Sequence, residues 1–86
     1  MKQDSGISLK PLITEKAVMM IETSNILTFK TNKEKTKVEI RKEVEELFGV
    51  KVKTIKTLIR DNKKIAYVKL KKEFPAIDVA TKLGMI

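Results

Sequence analysis

"KVKTIKTLIRDNKKIAYVKLKK", residues 51–72, carries the most regular β pattern in the chain. Two β-rich runs, 50–60 and 64–72, flank Asp61-Asn62. Both of those residues tolerate positive φ, so a tight hairpin is predicted. On the second run Ala66, Val68 and Leu70 fall on one side, toward a core, while Ile65, Tyr67, Lys69 and Lys71 fall on the other. On the first run Val50 and Val52 point inward, which turns Lys51 and Lys53 outward. The alternation slips at Thr54-Ile55, where a bulge, or a strand covered on both faces, is expected.

The same stretch holds nine Lys and Arg and one acid, Asp61, whereas the other 64 residues hold ten bases and ten acids. The whole formal charge of +8 therefore belongs to one quarter of the chain. Like charges directly across a β-ladder destabilise it. A mixed-charge run reads as a solvated face; a single-signed run has an anion to place. A phosphate backbone is the commonest such anion, so the basic strand face reads as a nucleic-acid surface.

Working outward, residues 36–49 predict the clearest helix. Thr36 and Glu39 form a capping box, and Ile40, Val44, Leu47 and Phe48 recur as one apolar stripe. Gly49 closes it in the left-handed conformation. The helix is placed at 37–48. Upstream, Thr14 caps a short helix at 15–23 whose Ala17, Val18 and Ile21 share a face. "ILTFKT" follows as a strand. At the other end "FPAIDVATKLGMI" reads as a helix with Pro75 in its first turn and Gly84 ending it. The first ten residues, polar with Gly6, read as a flexible lead-in, with residues 1–8 outside a single domain over 9–86. The order is α-β-α-β-β-α: an α+β fold, a small antiparallel sheet of about three to four strands packed with helices.

Composition narrows the function. With 86 residues, 42% of them apolar, the chain makes one domain with a modest core. It has no Cys and no His, which excludes a disulfide framework and leaves few zinc ligands. Glu43, Glu45 and Glu46 read as exposed helix residues, and no general base, nucleophile or phosphate loop accompanies them. The sequence predicts no enzyme and no cofactor. The longest apolar run, 17–21, is too short to span a bilayer, and "MKQDSGIS" has no apolar core of a signal peptide. A soluble, cytosolic, basic domain is the expectation. One tyrosine makes no stacking platform, which favours docking on a folded RNA through its phosphates and shape.

"PLITEKA", "TKVEIRKEVEELFGVKVKTIKTL" and "KKIAYVKL" followed by "DVATKLGMI" together resemble the universal L23 family of large-ribosomal-subunit proteins, over roughly residues 9–86. The ending and the two-residue hairpin turn resemble its archaeal and eukaryotic branch. Bacterial relatives carry a long basic loop at that turn, so a tunnel-probing loop is not implied here.

The resemblance implies binding to large-subunit ribosomal RNA at the outer rim of the polypeptide exit tunnel, as a monomer within a cytoplasmic ribosome. It implies contact with the neighbouring large-subunit protein twenty-nine. It also implies a docking surface for the signal recognition particle, nascent-chain factors and the protein-conducting channel. Lys16, Thr36, Lys37, Thr57, Lys63 and Lys64 match positions the family uses around its RNA. Lys56 stands where the family often has Asn, replacing paired donor and acceptor by a point charge.

Lys10, Lys30, Lys35, Lys51, Lys53, Lys56, Arg60, Tyr67 and Lys69 complete the RNA-binding candidates, with Tyr67 read as a half-buried strand residue. Glu15 matches the acid that docks a chaperone in bacterial relatives, and it is the candidate for factor docking. A free-standing RNA-binding or RNA-chaperone domain is the alternative. A protein-interaction adaptor whose lysines only solubilise it is the third reading.

Overall fold

The computed structural model describes residues 9–84; the expected lead-in over 1–8 and the last two residues of "DVATKLGMI" lie outside the described residues. In chain order the elements are β1 (Lys10–Pro11), α1 (Glu15–Ser24), β2 (Ile26–Asn32), α2 (Lys37–Phe48), β3 (Val52–Arg60), β4 (Lys63–Leu70) and α3 (Ala76–Lys82). The strands form one antiparallel sheet in the order β1-β2-β4-β3. The α+β architecture agrees with the sequence, with one addition. Leu9 is buried and Lys10–Pro11 pair with β2, so the lead-in does not extend through residue 10. A two-residue strand has no periodicity to read, which is why it is silent in the sequence.

The hairpin turns on Asp61 and Asn62, at φ 52 and 64, the two positive values that a two-residue primed turn requires. The register shifts between Val52 and Thr54, which makes Lys53 the extra residue of a bulge one position before the predicted slip. After the bulge Ile55 lies opposite Val68 and Thr57 opposite Ala66, on the core side. Lys56, Leu58 and Arg60 are thereby turned to the other face.

One face of the sheet is covered by α2 and α3. Ile40 and Val44 from α2, Ala76, Val79 and Ala80 from α3 and Ile21 from α1 join Leu27, Phe29, Val52, Ala66, Val68 and Leu70 in a single core. Phe48 stacks on Phe29 with centroids 6.1 Å apart. Leu47 departs from the predicted stripe: it is 46% exposed. Its spacing is right for the stripe, but it falls on the rim of the helix–sheet contact. Truncation to Ala therefore costs little there.

The α2 carboxylates are not all on the solvent face as the sequence suggested. The Thr36 box is present, with Glu39 Oε1 accepting from the Thr36 backbone N–H at 2.9 Å. Glu45 Oε2 accepts the Val52 N–H at 3.0 Å, and Arg41 donates to the Val52 carbonyl at 3.2 Å, so α2 clamps the start of the edge strand. Glu43 is half-buried, 2.5 Å from the Lys35 ammonium. Those backbone N–H groups, from Thr36 and Val52 respectively, hold the Glu39 and Glu45 carboxyls below their usual range. A lowered folded-state pKa adds stability above the unfolded value that is lost as pH falls. Urea stability should accordingly be flat above about pH 5 and decline on acidification through the ordinary carboxylate range and below it. The Glu39→Gln/Glu45→Gln double variant should show a shallower acid decline; an identical decline would assign the acid limb to other groups.

Candidate nucleic-acid interface

Residues opposite one another in an antiparallel ladder share a face, so the register alone composes the sheet surface away from α2 and α3. One row runs Lys10, Lys30, Ile65, Leu58; the next runs Thr28, Tyr67, Lys56. Beside them lie Ile26, Lys69, Thr54 at one end and Asn32, Lys63, Arg60 at the other. This face carries six cations (Lys10, Lys30, Lys56, Arg60, Lys63 and Lys69) and no acid among the described residues. Lys10 lies directly across from Lys30, and Arg60 from Lys63. Two like-charged pairs on adjoining strands raise the local potential where no carboxylate offsets it.

The surface is not the bare two-stranded ribbon expected from the hairpin alone. The segment from Leu12 to Met20 overhangs part of it, so Ile65 is 8% exposed and Tyr67 is half-buried. Hydrophobic periodicity sees a strand's own alternation but not a helix that arrives from elsewhere. Among the described residues, the two ion pairs are Lys35 with Glu43 and Arg41 with Glu45; none involves the six cations of this face.

The predicted contact residues divide into three groups. Lys10, Lys30, Lys56, Arg60, Lys63, Tyr67 and Lys69 are brought together on the face just described. Lys16, on the first turn of α1, lines the same cleft as Arg60 and Tyr67, while Lys51 and Lys53 are exposed at the start of the hairpin and Lys37 on the first turn of α2. The remaining four are occupied or turned away. The Thr36 hydroxyl accepts from the Glu39 N–H at 3.2 Å, and Thr57 is half-buried on the core side. Lys35 pairs with Glu43, and Lys64 donates to the Lys35 carbonyl at 2.5 Å.

The pair Lys63 and Lys64 is therefore split by the pleat. Lys63→Ala should weaken RNA binding and leave thermal unfolding nearly unchanged, because exposed charges contribute little to folding. Lys64→Ala removes the donor to a half-buried carbonyl and should lower stability by about 1 kcal/mol. Equal melting-temperature shifts for the two variants would contradict the division.

Sequence reasoning missed Asn25. Its left-handed backbone, φ 58, ends α1 and starts β2. Its amide nitrogen donates to the carbonyls of Leu70 (3.2 Å), Lys71 (3.3 Å) and Phe74 (3.2 Å). Its Oδ1 accepts the Ala76 N–H at 2.6 Å. Pro75 offers no side-chain cap, so α3 is capped by a residue 51 positions upstream. A helix-terminating Asn is the only local signal; the partners are visible only in three dimensions.

Among the described residues no group of His, Cys, Asp and Glu could hold a metal ion, and no helix is long and apolar enough to cross a membrane. The model of the family described as ribosomal protein L23 matches residues 6–77. The large ribosomal subunit protein uL23 of the archaeon Methanothermobacter thermautotrophicus is 42% identical over 81 residues, which cover 93% of this chain and 94% of that protein. With the cationic sheet face, the capping box and the short hairpin turn in place, the chain belongs to the ribosomal protein L23 family, as a structural and non-catalytic ribosomal protein of archaeal type.

Proposed function

We propose that the protein is a structural constituent of the large ribosomal subunit in the cytoplasm that binds large-subunit ribosomal RNA through its open sheet face. The observation that carries this reading is the six-cation, acid-free surface with Lys10 across from Lys30 and Arg60 across from Lys63. Lysine ammoniums on a rigid, pleated surface suit phosphate contacts that position the protein without reading sequence. Lys16, Lys37, Lys51 and Lys53 extend the contact beyond the sheet, and membership of the L23 family supports the RNA as ribosomal.

The acids lie mainly on the helices: Glu22 is exposed on α1, as are Glu46 on α2 and Asp78 on α3. RNA on the sheet face would leave the helical side for protein neighbours. We assign to that side the large-subunit protein twenty-nine and the factors that meet chains at the exit-tunnel rim, the signal recognition particle and the protein-conducting channel included. Glu15, exposed beside the Thr14 cap, supports such a role, since no ion pair or hydrogen bond engages its carboxylate among the described residues.

Sedimentation tests the reading. The chain should co-sediment with large subunits through a high-salt wash, and Glu15→Lys should preserve that while lowering the affinity of assembled subunits for exit-site factors. Release at modest salt would favour a free-standing RNA-binding domain, and no RNA binding an adaptor. Unchanged affinity for every exit-site factor would leave Glu15 as a charge favouring the helix N-terminus.

A further inference from the structure

A cleft of about 160 Å³ opens where α1 overhangs the sheet. Its walls are apolar at Leu12, Ala17, Met20 and Ile65, with the Tyr67 ring beside them. Lys16 from α1 and Arg60 from the end of β3 line it as well, and no carboxylate does. Thr28 is 3% exposed, and its hydroxyl has no hydrogen-bond partner within the described residues.

A buried hydroxyl without a partner destabilises the fold, and a strand position facing Met and Ile is served at no such cost by Val. Two cations beside one apolar hollow can rest their aliphatic stems on its walls, but no carboxylate there offsets their charged ends. The combination of an apolar slot, an aromatic ring, an unsatisfied polar atom and two cations on the lining matches one kind of ligand: a flat heterocycle joined to a phosphate. Unstacked bases in single-stranded loops of RNA are recognised in this manner, by stacking and by hydrogen bonds to their edges.

We propose that this cleft receives one unstacked nucleotide of the bound RNA, its base between α1 and the Ile65–Tyr67 strand surface and its phosphate held by Lys16 and Arg60. The inference rests on the RNA-binding reading above and adds to it a site that distinguishes a nucleotide from a bare phosphate. The Thr28 hydroxyl supplies the hydrogen bond to the base edge after a small opening of the overhanging helix. Tyr67, an RNA-binding candidate that the sequence read as a half-buried strand residue, becomes one wall of the site.

The test uses the full chain and four 5′-ribonucleoside monophosphates, with ribose 5-phosphate and inorganic phosphate as controls, followed by amide chemical shifts. At least one mononucleotide should shift Ala17, Thr28, Ile65 and Tyr67 saturably, and ribose 5-phosphate should bind about fivefold or more weakly. Thr28→Val should remove about fivefold of the nucleotide affinity, leave ribose 5-phosphate unaffected and melt no lower than the parent, since it replaces an unpaired buried hydroxyl by a methyl group. Equal binding of nucleotide and ribose 5-phosphate would overturn the proposal, as would shifts spread over Lys56 and Lys69 with none in the cleft. Parallel titration with large-subunit RNA fragments separates the two claims: salt-sensitive fragment binding without nucleotide discrimination sinks the cleft alone, and loss of fragment binding sinks the RNA reading itself.

Discussion

Raising monovalent salt from 50 to 200 mM should lower the affinity of the isolated protein for large-subunit RNA fragments roughly a thousandfold. Binding that neutralises phosphates releases condensed counterions, so log affinity falls linearly with log salt, at about −0.9 per contact on a duplex. The open sheet face presents six cations with no acid interspersed. On the order of six contacts gives a slope near −5 on a duplex and a shallower one where the RNA is single-stranded. Single substitutions sharpen the test. Lys30→Ala or Lys56→Ala should each reduce the slope by about one, whereas Lys35→Ala should not, because its ammonium is engaged by Glu43. A flat salt dependence would mean that the lysines solubilise the face and hold no phosphates.

Asn25→Ala should lower the free energy of unfolding by about 2–4 kcal/mol, against a total of roughly 4–13 kcal/mol for a domain of this length. Three carbonyls, those of Leu70 and Phe74 part-buried and that of Lys71 exposed, and the first N–H of α3 lose their partner together. Ala also fits poorly at φ 58. Asn25→Gly separates these causes, since it accepts the backbone and still removes all four hydrogen bonds; it should recover about 1 kcal/mol of the loss. Asn25→Asp keeps the acceptor for Ala76 but sets a charge against three carbonyl oxygens, and should also destabilise. Urea titration followed by circular dichroism measures all three. An Ala variant within about 0.5 kcal/mol of the parent would show that water replaces the amide freely.

Most of the fold was legible because its signals are local. The Thr36–Glu39 box, Gly49 at φ 64, the Thr14 cap and the Asp61-Asn62 turn each act within a few residues, and each appears where the pattern put it. What escaped depends on distant partners. β1 exists only because β2 lies beside it, and Asn25 reads as a helix stop until the end of β4 arrives. The site was partly legible for the same reason. Alternation assigned Lys69 and Tyr67 to the outer face correctly. It placed the slip one position late, at Thr54-Ile55 rather than at Lys53, and it could not foresee that the inward-turned Lys64 finds the Lys35 carbonyl. It could not foresee α1 over Ile65 either.

The cap on α3 also constrains the order in which the molecule assembles. Seven residues are too few to hold a helix in water, because a helix must first nucleate at a cost that so few hydrogen bonds do not offset. Ala76–Lys82 therefore becomes helical only when Asn25 and the core face of the sheet are already in position. The hairpin Val52–Leu70 closes over the shortest loop and forms readily; pairing β2 with β4 must close across the whole of α2 and β3 and is slower. As a chain emerges from its own ribosome, Asn25 and the sheet's core face must be in place before α3 can exist. Helix α3 then acts as a latch that reports a finished sheet, and the lysines of the opposite face stand in register on that sheet when it closes.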